Sequence, residues 1–325
     1  MHRRSLLLAL LVPAAAARRA LAQQPLDPFP SRPITISVGF PPGALSDVLT
    51  RAVGQRMAQE LGQPVIVDNR PGGGTSVASG HVAQSRPDGY TLLMASNSLA
   101  TNPTALPHLP PRDPQRDLAP IGLAYLSPFI LVVRDDFPAR SFAEFIAYAK
   151  SHPGRVNFAS SGIGAVNHLA IELLQKAAGV AFEHVPYRGG APALLDLRAG
   201  RVQAFLATVL DAGPMIREGV LRALATTTAR RLEQMPDLPV MAETLPGYEA
   251  VYWQGLFAPA GTPEPVMQRL SAALQAATGD RELRDAMRAR GVELLSGGPA
   301  ELRDHLGKEI ETWGRLIREA NIRLE

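Results

Sequence analysis

Cysteine is absent from all 325 residues. That count excludes disulfide scaffolds, cysteine-ligated zinc, iron–sulfur clusters, thiol catalysis and lipid attachment through a cysteine. An excess of positive charge is missing too. The formal net charge is +3, but Arg3, Arg4, Arg18 and Arg19 lie in the first 22 residues with no acidic residue among them, and removing those four leaves 29 of the 33 basic residues against 30 acidic ones. A near-neutral remainder without a basic run lacks the electrostatic footprint of a nucleic-acid binder. After the N-terminus no run of eighteen apolar residues occurs, so no membrane-spanning helix is expected.

What is present is a chain with 46% hydrophobic and 19% charged residues, enough for two ordinary domains with full cores. Its first 22 residues run from charged Met1-His-Arg-Arg4 through an apolar stretch at 6–17 to Ala20-Leu21-Ala22 before Gln23. That order is an export signal, cleaved near Ala22, and its apolar stretch is too short to span a bilayer. The Arg3-Arg4 pair leaves both the general and the twin-arginine export routes open. The mature chain is expected to be soluble and periplasmic.

From residue 34 onward, short β-branched runs alternate with segments of helical periodicity, which predicts an α/β fold with a largely parallel sheet. Strands are expected at 34–40, 65–68, 91–95, 130–133, 156–159, 182–187, 202–206 and 221–226. The helix at 47–61 should bury Val48, Leu49, Ala52, Val53, Met57 and Leu61 and stop at Gly62. Ser141 and Glu144 sign another helix start as a capping-box pair. After 251–258 only helices are expected, and three helices without a sheet need a surface to cover. Returning the chain to the first sheet supplies one. Lobe 1 is then a discontinuous domain of residues 23–126 and 250–325, and lobe 2 is an inserted domain of residues 127–249. Two strands, around 123–132 and 252–259, would cross between them and leave a cleft.

In open α/β sheets ligands sit beyond the carboxyl ends of strands, against outward-pointing amides at helix N-termini. Four such turns are polar or glycine-rich: Phe40-Pro-Pro-Gly-Ala-Leu-Ser-Asp47, Ala95-Ser-Asn-Ser98, Ala159-Ser-Ser-Gly-Ile-Gly164 and Ala207-Thr-Val-Leu-Asp211. None contains Lys or Arg, so an anion there would be held by amide dipoles and hydroxyls, each terminus contributing roughly 0.3–2 kcal/mol. That suits a carboxylate better than a polyphosphate. Ser46, Asp47 and Ser161 read equally well as helix caps, and Asn97 and Asn102 as turn residues.

Other motifs point away from chemistry. Arg70-Pro-Gly-Gly-Gly-Thr-Ser76 lacks the Gly-Lys-Ser/Thr ending of a phosphate loop and reads as a tight packing turn. No metal-ligand spacing is expected around His81, His168, His184 or His305, and His168 reads as a core residue. No G-x-S-x-G elbow surrounds Ser160 or Ser161, so no serine hydrolase is expected. Trp253 and Trp313 read as packing residues.

At these same turns the sequence resembles the extracytoplasmic solute-binding proteins of tripartite tricarboxylate transporters, the Bug family. The matching stretches include Phe40-Pro-Pro-Gly43 with Asp47, Asn69-Arg-Pro-Gly72, Pro87-Asp-Gly-Tyr-Thr-Leu-Leu93, Ala159-Ser-Ser-Gly162 with His168-Leu169, His184-Val-Pro-Tyr187 and Trp253-Gln-Gly-Leu256. They occur in family order over nearly the whole mature chain. The resemblance implies a two-lobed, type II-like periplasmic binding protein, monomeric and without cofactor or metal. It would close on a small carboxylate and deliver it to membrane permease subunits rather than catalyse a reaction. A ligand-presenting sensor is the alternative, and a periplasmic enzyme acting on a carboxylated substrate a more distant one. The resemblance implies a ligand site of Phe40, Gly43, Ala44, Ser46, Asp47, Ser96, Asn97, Ser160, Ser161, Gly162, Gly164, Ala165, Thr208 and Asp211. Ala44 stands where the family usually has a second glycine, Ala165 where a serine or threonine is common, and Ala207 where aspartate is frequent. Asp211 falls where a small polar residue is usual.

Overall fold

A computed structural model of the chain describes residues 29–187, 189–319 and 322. The expected export signal and its cleavage near Ala22 lie outside the described residues. The first elements are β1 (Ile34–Val38), α1 (Leu45–Leu61), β2 (Val65–Asn69), α2 (Ser76–Ala83), β3 (Thr91–Ser96) and α3 (Ser98–Ala105). A short α4 (Pro114–Asp117) leads into the long β4 (Leu118–Arg134). Next come α5 (Phe142–Ser151), β5 (Asn157–Ser160), α6 (Val166–Ala178), β6 (Glu183–Pro186), α7 (Gly190–Arg198), β7 (Ala204–Thr208), α8 (Val209–Arg217) and β8 (Leu221–Thr226). The chain then forms β9 (Val251–Pro259), α9 (Glu264–Gly279), α10 (Arg281–Arg288), β10 (Glu293–Gly297) and α11 (Pro299–Glu319).

Local signals placed most of these. Gly62 ends α1 in the left-handed conformation at φ 68° and donates to the Ala58 carbonyl, because only glycine takes that cap without a Cβ clash. Ser141 accepts from the Glu144 N–H, and Glu144 reaches back to the Arg140 N–H, a capping box displaced by one residue. Leu49, Val53, Met57 and Leu61 form the buried face of α1. Val48 does not join them: at 39% exposure it faces solvent, one residue around the helix from the i, i+4 row.

The strands run in the order β2-β1-β3-β9-β4-β7-β5-β6, with β8 and β10 also paired to β4. The sheet is mixed, not largely parallel. Pairing is parallel within β2-β1-β3 and β7-β5-β6 but antiparallel wherever β4 or β9 takes part. This is the two-lobed α/β architecture expected, and β4 is the strand that crosses it. Up to Pro128 it pairs with β9, and from Phe129 with β7 and β8. The return crossing lies earlier than expected. β9 pairs only with β3 and β4, and the chain comes back at Ala250, whose N–H donates to the Thr227 carbonyl.

The expectation of helices alone after residue 258 is also corrected. β10 comes back antiparallel onto β4, with Leu294 opposite Tyr125 and Gly297 opposite Leu123. Its sequence, a short apolar pair between two helices, carries too little alternation to be told from a loop. The pairing is close: a Cβ on Gly122 would lie 2.6 Å from the Gly297 carbonyl oxygen.

Apolar burial follows the lobes on two faces and unites them on the third. Ile36, Met57, Leu92 and Leu274 belong to a core beneath α1 and α9, while Ile130, Leu197 and Phe205 lie in one beneath α7 and α8. A third core runs continuously from Trp313, Leu316 and Phe257 to Leu169, Phe158 and Leu206. Gly122→Val should separate β10 from β4 and cost about 1–3 kcal/mol, the usual penalty for overpacking a filled site. A lowered urea midpoint with unchanged slope would show it.

Candidate functional site

Strand register alone brings the predicted turns to one place. β3 runs parallel to β4 with β9 between them and ends at Ser96, opposite Gln254, which itself pairs with Tyr125. β7 runs the other way along β4 and ends at Thr208, opposite Phe129. β1 lies beside β3 and β5 beside β7. The carboxyl ends of all four strands therefore converge on residues 125–129 of β4 from opposite directions. The turns that follow them face one another, as open α/β sheets place their ligand sites.

Two of these turns are conformational twins. Gly43 and Gly164 have φ of 80° and 75°, and Ala44 and Ala165 follow as N-caps at φ −66°, ψ 158° and φ −61°, ψ 152°. The Ala44 N–H donates to the Pro41 carbonyl and the Ala165 N–H to the Gly162 carbonyl, each at 3.2 Å. The glycine N–H is held by the side chain four residues on: Gly43 by Asp47 at 2.9 Å, Gly164 by His168 at 3.0 Å. Neither helix has a side-chain cap, since alanine has no acceptor to offer. The N–H groups of Leu45, Ser46 and Asp47, and those of Val166, Asn167 and His168, are thus left for something else. At Ala165 the departure from the family's usual serine or threonine removes a capping hydroxyl, whereas at Ala44 the usual glycine would leave the amides equally open.

In the other two turns a side chain is committed within the protein, as a cap at Thr208 but away from the helix start at Asn97, so α3 also begins without a side-chain cap. Thr208 caps α8, accepting from the Asp211 N–H at 3.1 Å while its hydroxyl donates to Asp211 Oδ2 at 2.8 Å. Asn97 is wholly buried. Its Nδ2 donates to the Val251 carbonyl and to Glu309 Oε2, and its Oδ1 accepts from the Trp253 N–H. Ser96 and Ser160 are buried as well, Ser160 against His184 Nε2 at 2.6 Å. Of the expected site residues, Phe40, Gly43, Ala44, Ser161, Gly162, Gly164, Ala165 and Asp211 keep surface. Ser46, Asp47, Ser96, Asn97, Ser160 and Thr208 direct their side chains into the protein.

Asp47 is 3% exposed. Burial alone would raise its carboxyl above the usual range, but hydrogen bonds from Arg51, the Gly43 N–H and Asn69 outweigh that and lower it. Asn69, read from sequence as structural, donates to both Asp47 and the Phe40 carbonyl. Ser46 accepts from Gln254 Nε2, which also donates to the Tyr252 oxygen at 2.8 Å, while the Tyr125 hydroxyl donates to Gln254 Oε1. Burial holds both phenols far above their ordinary values, so they remain protonated. This buried chain ties the start of α1 to β4 and β9, and only the Trp253-Gln-Gly-Leu256 motif hinted at it.

The reading of the histidines needs one correction. His168 and Glu172, and His305 and Glu309, do stand four residues apart. His168 Nε2 is nonetheless 3.7 Å from Glu172, and Glu309 is taken by the indole N–H groups of Trp253 and Trp313. Among the described residues no group of three or more His, Asp or Glu side chains could hold a metal ion. His168, 6% exposed, is buried as expected, and both tryptophans pack in the core.

Against known proteins, the family described as tripartite tricarboxylate transporter family receptor matches residues 49–322. The chain is similar to a protein of the tcbD–tcbE intergenic region of Pseudomonas sp. strain P51, 40% identical over 298 residues that cover 91% of this chain and 88% of that one. Among solved structures it resembles a Rhodopseudomonas palustris protein with adipate, 32% identical with a TM-score of 0.81, covering 91% and 99% of the two chains. It also resembles MatC of the same organism with bound malate, 32% identical with a TM-score of 0.78, covering 89% and 100%.

Asp47→Ala should cost about 1–3 kcal/mol at neutral pH, the loss of a buried acceptor held by two neutral donors and Arg51. Because the folded carboxyl titrates below its unfolded value, that stability is present above the ordinary carboxylate range and is lost as pH falls through the lowered folded value. Wild-type and variant melting temperatures should therefore converge in acid.

Proposed function

The chain belongs to the tripartite tricarboxylate transporter receptor family, and from that premise we propose that it is a periplasmic solute-binding protein that captures a small carboxylate by closing two lobes on it. In this reading the chain is exported with cleavage near Ala22, lobe 1 comprises residues 23–126 and 250–325, and lobe 2 comprises residues 127–249. The loaded protein hands its ligand to membrane permease subunits and works as a monomer. The ligand class is the one seen in the two Rhodopseudomonas palustris relatives, which hold adipate and malate.

One observation carries the reading: two uncapped helix starts of matching geometry face each other across the middle of β4. Each presents amide donors and the positive end of a helix dipole, which favour a carboxylate without a basic side chain. Closure follows from population shift, because only the closed form lets both turns contact one ligand. A binding role rather than catalysis is supported by Ser160, which is fully buried and lacks the exposure a nucleophile needs.

Isothermal titration against C4–C6 dicarboxylates, acidic amino acids and aromatic carboxylates should give at least one saturable ligand and no product. At a hundredfold excess over Kd that ligand should add about 2.7 kcal/mol to unfolding stability. A second test separates dipole binding from any other mode. Ala165→Asp supplies the missing cap, so it should stabilise the free protein by about 0.5–2 kcal/mol while weakening carboxylate binding at least tenfold. An Ala165→Asp chain that binds as tightly as wild type would sink the proposed mode.

A further inference from the structure

The twin turns differ in the group that holds them. In the first, the acceptor for the Gly43 N–H is the Asp47 carboxylate, itself fixed by Asn69 at 2.9 Å and Arg51 at 2.9 Å. In the second, the acceptor for the Gly164 N–H is His168 Nδ1 at 3.0 Å. A ring nitrogen that accepts carries no proton, so the proton of the neutral imidazole sits on Nε2. The ring is clamped by stacking on His184, with centroids 3.9 Å apart and planes within 8°. His184 is anchored in turn by Ser160. The titratable groups facing His168 are Glu172 on its own helix, 3.7 Å from Nε2, and His184 on β6. The α11 group that reaches α6, Glu319, pairs with Lys176 farther along the helix. Burial, and the charge His184 would carry, lower His168 from 6.5 to about 4, so its Nδ1 lone pair is available at neutral pH.

Gly164 sits in the left-handed region, where a residue with no side chain has no steric anchor of its own. Its N–H is the bond that fixes how Ala165 enters α6, and hence where the first amides of that helix point. Resting on the binding reading above, we propose that His168 is the positioning residue of the lobe 2 turn, the neutral counterpart of Asp47, and that its Nδ1 aims the α6 amides at the ligand carboxylate.

Three substitutions test this, with adipate and malate as probes in titration calorimetry. Asn places a side-chain oxygen where Nδ1 lies, Gln carries its oxygen one bond farther, and Leu fills the volume with no acceptor. His168→Leu and His168→Gln should weaken binding at least tenfold, and His168→Asn should stay within about threefold of wild type. Exchange of the Gly164 amide should be slow in wild type and His168→Asn and fast in the other two. If His168→Leu does not fold, the contrast between Asn and Gln carries the test. Wild-type affinity in His168→Leu, or equal loss in His168→Asn and His168→Leu, overturns the proposal. A wild-type chain that binds neither probe nor any other carboxylate refutes the transport reading instead, and Gly164 exchange then decides the role of His168 by itself.

Discussion

The two helices that start beside the middle of β4, α1 and α6, have alanine at the cap position and no side-chain cap. A helix start leaves its first N–H groups without intrahelical partners, and a Ser, Thr, Asp or Asn at the cap usually satisfies one of them. Here Ala44 and Ala165 occupy those stations. The fold spends its polar side chains one layer back. Asp47 and His168 hold the glycine before each alanine, and Asn167 bridges the Ser161 N–H and hydroxyl to the Leu206 carbonyl. The donors are presented by backbone, while the side chains that shape them, Asp47, Asn167 and His168, are buried. In the proposed binding role, a site built this way would select for negative charge through dipoles, and its specificity would depend on the surfaces lining the rest of the cleft.

The second requirement is that the two starts face one another, and β4 meets it. Seventeen residues long, it outlasts the lobe it begins in, so strands ending in opposite directions can be registered on one backbone. Antiparallel pairing does the aiming: β3 reaches 125 through Gln254, and β7 stops at 129. Gln254 then links that midpoint to Ser46. The first helix start and the crossing strand thereby share one buried hydrogen-bond chain, which couples the position of α1 to β4.

Much of this was legible in sequence, for identifiable reasons. α6 and β8 fall where the periodicity placed them because each is bounded by a strong local signal, Gly179 after the helix and the Gly219 turn before the strand. The four converging turns were visible because glycine, serine and asparagine cluster after apolar strands. The roles within them were not. Nothing in Ser-Asn-Ser says that Asn97 will be consumed by Val251, Trp253 and Glu309, partners about 150–210 residues away. The likeness of Asp47 to His168 is likewise invisible as a pattern of residue types, since a carboxylate and an imidazole match only as acceptors. β10 was missed because its five residues pair with a strand some 170 positions earlier, and such pairing leaves no local trace.

The shared core sets a condition on any motion between the lobes. On the face where α11 packs, buried side chains continue without a break from Trp313 and Leu316 to Leu169 and Ile171. Tyr248 adds a hydrogen bond to the Ala170 carbonyl, and Glu319 pairs with Lys176. Parting that face would expose apolar surface at about 25 cal/mol per Å², so a few hundred Å² would cost several kcal/mol. Elsewhere the contacts between residues 127–249 and the rest of the chain include Gly291 against Val209, Gln234 on the Arg288 carbonyl and Arg288 paired with Glu233 at 3.3 Å. Any opening of the proposed cleft would therefore be cheapest as a rotation that keeps the α11 face closed. In the proposed binding role such a rotation would part the paired helix starts, and contacts to a shared ligand would supply the free energy that holds them together.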